Sequence, residues 1–181
     1  MCKSSINPLH TALLDYGLKG QIVVFKRGEI IAKDGIVADA VYFVLQGSVA
    51  IESNHELLEG QVIRLSYQGS PVVALDSFLS GCPSNFIIRA LKETQLAKFT
   101  RNEVLDFFDT AQLGSFLWME TLKELVLQQM ARELDLLISE PSARYKRVLS
   151  RSPQLFQEVP HKYIANYLRM TPETLSRLKK T

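Results

Sequence analysis

Between positions 21 and 99 the apolar residues fall into short runs rich in β-branched and aromatic side chains, at 21–25, 29–32, 41–45, 49–51, 62–66, 71–75, 86–90 and 95–99. Glycine-bearing breaks separate them, among them Arg27-Gly28, Asp34-Gly35, Gln46-Gly47-Ser48, Gln68-Gly69-Ser70 and Ser80-Gly81. Many short strands at regular, turn-punctuated spacing predict an antiparallel roll, interrupted by a helical turn at 76–79. At Thr100 the period becomes helical. Thr100-Arg-Asn-Glu103 is a capping box opening a short helix through Val104, Leu105, Phe107 and Phe108. A proline-free stretch over 113–138 follows, with Trp118, Leu122, Leu125, Met130, Leu134 and Leu137 spaced for a broad apolar face. Such a face suits either the chain's own roll or a second copy, and the length favours a copy. Gln128, Gln129 and Arg132 interrupt a heptad seam, which predicts a dimer helix rather than a zipper. Ser139-Glu-Pro-Ser142 reads as a hinge, 143–149 as a helix stopped by Ser150-Arg-Ser-Pro153, and 154–157 as a further turn.

The last twenty-odd residues hold the most specific pattern. Pro160 suits the first turn of a helix in which Ile164, Ala165 and Leu168 share a face. Thr171 is a good N-cap, Pro172 a good first residue, and Glu173 favours the positive end of the helix dipole. Leu175 and Leu178 turn inward and leave Pro172, Glu173, Ser176, Arg177 and Lys180 outward. Two short helices around a tight turn make a helix-turn-helix, which presents its second helix to the major groove. Arg177 can fork onto guanine, Glu173 can accept from the cytosine amino group, and Lys179 and Lys180 suit phosphates. Lys162, Thr171, Pro172, Thr174 and Ser176 complete the candidate DNA-binding set. The expected fold class is therefore α+β. It comprises an N-terminal antiparallel β-roll (jelly roll) over 1–112, a long dimerisation helix and hinge over 113–140, and a C-terminal helix-turn-helix over 141–181.

An ordinary amphipathic helix pair would show the same spacing, so charge distribution has to decide. Residues 141–181 hold nine lysines and arginines against two glutamates, a net +7, while residues 1–140 hold 12 against 17 acidic residues, a net −5. A basic tail on an acidic body is the electrostatic footprint of a DNA-binding module attached to something else. The longest unbroken apolar run, 40–45, is far too short to span a bilayer. The N-terminus lacks the apolar segment of a secretory signal. Cys2 and Cys82 are the only cysteines, which argues against a disulfide framework and suits a reducing cytoplasm. His10, His55 and His161 are scattered, and no nucleophile elbow, phosphate loop or Cys/His cluster is present. No catalytic residues, metal ligands or resident cofactor are expected.

The order of roll, long helix and basic helical tail resembles the Crp/Fnr family of bacterial transcription regulators, whose sensor is a cyclic-nucleotide-binding-type roll. The resemblance lies in Phe25-Lys-Arg-Gly-Glu29, Gly35 and Val41-Tyr-Phe-Val-Leu-Gln-Gly47 in the roll. In the tail it lies in Arg144-Tyr145, Pro153, Val159-Pro160, Ile164-Ala-Asn-Tyr-Leu168 and Thr171-Pro-Glu-Thr-Leu-Ser-Arg177, similar to the Bacteroidetes subgroup. It implies a cytoplasmic homodimer that binds double-stranded DNA, with Glu173 and Arg177 at base-reading positions and RNA polymerase as a further partner. Members that bind cyclic AMP hold its ribose with a glutamate and its phosphate with an arginine. Here those positions are Val73-Ala74 and Ser84-Asn85-Phe86. A phosphate would lose hydration there without a paired charge, so tight cyclic-AMP binding is not expected.

The effector pocket implied by the resemblance lies near Leu75, Asp76, Ser77, Ser84 and Asn85, with a neutral lining suited to a small uncharged or hydrophobic compound, or to none. The family also places glycine where this chain has Arg169, so a positive φ there would cost roughly 1 kcal/mol. The chain stops soon after the second helix, which leaves no room for a β-wing. The alternative is therefore a small-molecule-binding or protein-docking module with weak or no DNA binding.

Overall fold

The computed structural model describes residues 7–58 and 60–179. Strands β1 (Gln21–Phe25), β2 (Ile30–Ala32), β3 (Ala40–Gln46), β4 (Ser48–Ser53), β5 (Val62–Tyr67), β6 (Pro71–Val72), β7 (Phe86–Ala90) and β8 (Thr94–Thr100) make two four-stranded sheets. The orders are β1-β8-β3-β6 and β2-β7-β4-β5, antiparallel throughout. Strands β3 and β4 are buried along nearly their whole length because both faces are covered. Tyr42, Val44, Val49 and Ile51 fill the space between the sheets. Val41 and Phe43 point the other way, into a cluster with Leu9, Leu13, Phe99, Phe107 and Phe108. Ala50 of β4 and Val62 of β5 face the C-terminal helices. At the β3–β4 turn Gly47 has φ 101°, and a Cβ there would lie 2.6 Å from the Thr94 Cα, so only glycine fits.

Three local expectations need correction. The strand expected over 71–75 ends at Val72, because Leu75 already opens α2 (Leu75–Ser80), which Gly81 closes at φ 71°. The helix expected from 143 begins at Pro141 as α5 (Pro141–Arg151), so the non-helical link shrinks to 138–140. Pro160 is the N-cap of α7 (His161–Tyr167), at φ −61° and ψ 136°, rather than a residue of its first turn. Two elements were not anticipated: a 3-10 turn at Glu56–Leu58, and α1 (Pro8–Asp15), which is capped by the Asn7 side chain on the Leu9 N–H and packs Leu9 and Leu13 onto the roll.

The capping box at Thr100 opens α3 (Arg101–Thr110) as expected. The long helix α4 (Gly114–Leu137) has 24 residues and is about 36 Å long. Gly114 lets it start against α3, since a Cβ there would sit 2.8 Å from the Phe108 Cα. Only part of its apolar face is covered by the roll. Leu125 is buried on the roll, and Trp118 and Leu122 are half-buried, whereas Met130, Leu134 and Leu137 are exposed beside Phe116, Met119 and Leu127.

The remaining helices, α5, α6 (Leu155–Glu158), α7 and α8 (Pro172–Leu178), share one core with the outer face of β4 and β5. Polar bonds fasten that contact. The Asn166 side chain accepts from the Val62 N–H at 2.8 Å and donates to the Gly60 carbonyl at 3.0 Å. Arg132, buried, donates to the Tyr167 and Val62 carbonyls, with its guanidinium 3.6 Å from the Tyr167 ring centroid. Asp135, fully buried on α4, is held by Arg147 at 2.8 Å and Arg151 at 2.5 Å from α5. Arg132, one of the three residues that break the heptad seam, is thus a three-way connection among α4, the roll and the tail.

Candidate nucleic-acid interface

The turn between α7 and α8 is built around Arg169, the only non-glycine with positive φ (54°) among the described residues. The backbone reversal there satisfies the end of α7, with the Met170 N–H bonded to the Ala165 carbonyl at 3.0 Å. Ile164, Ala165, Leu168 and Leu175 are completely buried, so the two helices lock through the residues that their spacing selected. Thr171 caps α8 by accepting from the Thr174 N–H at 3.2 Å, and Pro172 follows as the first helical residue.

That packing decides which side chains face solvent. Pro172, Glu173, Ser176 and Arg177 are exposed on α8, as are Thr171 before it and Lys179 after it, while Thr174 is half-buried. Lys162 on α7 is exposed with its ammonium 4.6 Å from the centroid of the Tyr163 ring, and the Lys179 ammonium contacts His161 Nε2. Lys180 lies outside the described residues. The Glu173 carboxyl is held below the usual carboxylate range by its own backbone N–H, then by the Thr171 hydroxyl, with help from the Arg177 charge. It is therefore ionised at neutral pH and acts only as an acceptor.

Not all of the tail's positive charge is available to a ligand. Arg144 is buried and donates to the Ile138 and Arg169 carbonyls, and Arg147 and Arg151 neutralise Asp135. The tail's net +7 includes these three arginines. For Arg144 and Arg151 the signal that could have separated them is their four- and three-residue spacing from buried Val148; Arg147 carries no such signal.

The five residues expected around the effector pocket do not all meet. Leu75 and Asp76 border a cavity of about 390 Å³ between α4 and the roll. The Ser84 hydroxyl and the Asn85 N–H instead bond to the Asp76 carboxylate, at 3.1 and 3.0 Å. The Ser77 hydroxyl, fully buried, accepts from the Ala38 N–H and donates to the Cys82 carbonyl. Against the expected neutral lining, Asp76 places a carboxylate on the Ser84 and Asn85 donors. Cys82 is exposed and Cys2 lies outside the described residues. Among the described residues no helix is long and apolar enough to cross a membrane.

Comparison with known proteins agrees with this architecture. Residues 22–111, which include the eight strands of the roll except Gln21, match the cyclic nucleotide-binding domain family. The described residues have the fold of solved CRP/FNR transcription regulators. The chain is similar to FixK2 from Bradyrhizobium japonicum, with a TM-score of 0.73 and 20% identity over 90% of this chain and 84% of that one. It is also similar to the c-di-GMP-responsive global regulator CLP of Xanthomonas campestris, with a TM-score of 0.66 and 15% identity over 94% and 89%. A CRP/FNR-family transcriptional regulator from Thermus thermophilus gives 0.63 and 18% over 87% and 83%. Comparison with curated protein sequences gives no match.

Proposed function

We propose that the chain is a homodimeric, sequence-specific DNA-binding transcription regulator whose sensor roll does not take cyclic AMP in the usual way. The observation that carries this reading is α8: a capped helix, anchored by fully buried Leu175, with Glu173, Ser176 and Arg177 turned to solvent and Lys162 and Lys179 beside them. In this reading Arg177 and Glu173 contact base edges, while Lys162, Thr171, Pro172, Thr174, Ser176, Lys179 and Lys180 line the phosphates and the groove wall. The exposed flank of α4, from Phe116 to Leu137, supports pairing with a second copy, because exposed apolar side chains aligned along one helix are ordinarily covered. Two recognition helices would then meet successive major grooves about 34 Å apart.

The test is a mobility-shift titration on random duplex at two salt concentrations, with light scattering on the same material. The expected result is a dimer whose affinity falls steeply with salt. A monomer that leaves duplex unshifted even in dilute buffer would favour a docking module instead.

A further inference from the structure

We propose that the cavity between α4 and the roll binds an amphipathic monoacid, a hydrocarbon or aromatic body bearing one carboxylate, with Arg64 as the partner of the acid group. This rests on the reading of that region as the effector pocket and names the chemistry of what enters it. The cavity, about 390 Å³, is walled by apolar side chains including Ile51, Val73, Phe86, Leu122 and Val126. That volume suits a small organic molecule, and the walls suit a body without polar groups.

Part of the lining is shared with a second space. Ile63, Arg64 and Gln129 also border this polar space of about 280 Å³, which reaches Gln128, Arg132 and Ser152. An apolar chamber thus meets a polar one at a guanidinium. Arg64 is half-buried, and burial pulls its pKa down despite the nearby charge of Glu124. Among the described residues no carboxylate lies within ion-pair distance of it, and its side-chain bond is a long 3.5 Å contact to Gln128 Oε1. The neighbouring arginines are already engaged, Arg132 by two carbonyls and Arg151 by Asp135. A half-buried cation with so little compensation is satisfied by a carboxylate, which matches the guanidinium fork.

A carboxylate in the same lining limits the ligand to a single acid. Asp76 also borders the cavity, and its carboxylate already accepts from the Ser84 hydroxyl and the Asn85 N–H. A second anion directed there would meet like charge. A diacid spanning the chamber, or a cyclic nucleotide with its phosphate on the Ser84–Asn85 segment, is therefore disfavoured, and a monoacid is oriented with its head on Arg64.

The experiment is calorimetric titration of the full chain with decanoate, decan-1-ol and cyclic AMP, in the wild type and in Arg64→Gln and Arg64→Lys. Decanoate should bind about tenfold or more tightly than the alcohol. Arg64→Gln should erase that preference while leaving alcohol binding intact, Arg64→Lys should keep part of it, and cyclic AMP should not compete. Absence of decanoate binding, equal binding of acid and alcohol, or a preference that survives in Arg64→Gln would overturn the proposal. If Arg64→Gln does not fold, Leu122→Trp replaces it: a filled chamber should lose decanoate, and retained binding overturns the assignment. Mobility shifts on the same preparations test DNA binding separately, so failure of the ligand site and failure of the regulator reading remain distinct.

Discussion

Arg169 turns the chain between α7 and α8 at φ 54°, where a side chain crowds its own carbonyl. Its side chain is exposed and its backbone carbonyl accepts from Arg144, a bond that glycine keeps. Arg169→Gly should therefore stabilise the protein by roughly 1 kcal/mol, less a few tenths for the freer unfolded chain, as read from the denaturant midpoint. A destabilised variant would mean that the arginine side chain does more than tolerate the turn. His10 offers a test through pH. It is stacked on Phe43 at 4.6 Å, and burial lowers its pKa below 6.5. As pH falls from 6.5 through the folded-state pKa, the unfolded chain binds more protons, so stability drops across that window and is fully present above it. His10→Phe should flatten this segment of the stability curve; an unchanged pH dependence would show that other groups set it. On α8, Arg177→Ala should cost roughly 1–3 kcal/mol and relax preference at one base pair, whereas Lys179→Ala should weaken all sequences alike and lower the salt slope. Competition binding on a panel of single-base variants distinguishes them, and an unaltered preference in Arg177→Ala would remove that residue from the base-reading set.

At the scale of elements, the sequence was most legible where local chemistry decides. The capping box at Thr100, the cap at Thr171 with Pro172 behind it, and the buried set Ile164, Ala165, Leu168 and Leu175 all follow from residue type and spacing. The strain at Arg169 was legible through the resemblance, which places glycine at that turn. Less legible was anything set by a distant partner. Helix α1 carries its own signal in Asn7-Pro8 but is too short to stand out without the roll beneath it. Asp135 reads as an ordinary polar residue on α4, yet its carboxylate is fully buried because α5 brings Arg147 and Arg151 to it. Asp135→Ala leaves two guanidiniums without their counter-charge. Because both are part-exposed and can rehydrate, the loss should be about 3 kcal/mol, toward the lower end for a broken buried pair. A loss below about 1 kcal/mol in a thermal or denaturant melt would place the pair with weak surface bridges instead.

The whole molecule is organised around α4, which gives one flank to the roll, its C-terminal half to the tail through Arg132 and Asp135, and its remaining apolar side chains to solvent. The tail does not swing free in this arrangement: its core is continuous with Ala50 and Val62, and Asn166 bonds to the backbone on either side of residue 61. Chain order alone suggested a hinge at 139–142; the contacts across it could not be foreseen, since Arg132, Asn166 and Val62 are far apart in sequence. The effector region divides the same way. The missing guanidinium and carboxylate were visible by position, while the substitute carboxylate of Asp76 and the poorly compensated charge of Arg64 emerge only when β5, α2 and α4 are folded together.

Selection of bound fragments from a random duplex pool tests the central claim most directly. Two copies joined along α4 and reading with α8 should enrich an inverted repeat whose half-sites are centred about one helical turn apart. Recovery of no motif, or of a lone half-site without a symmetric mate, would contradict the account.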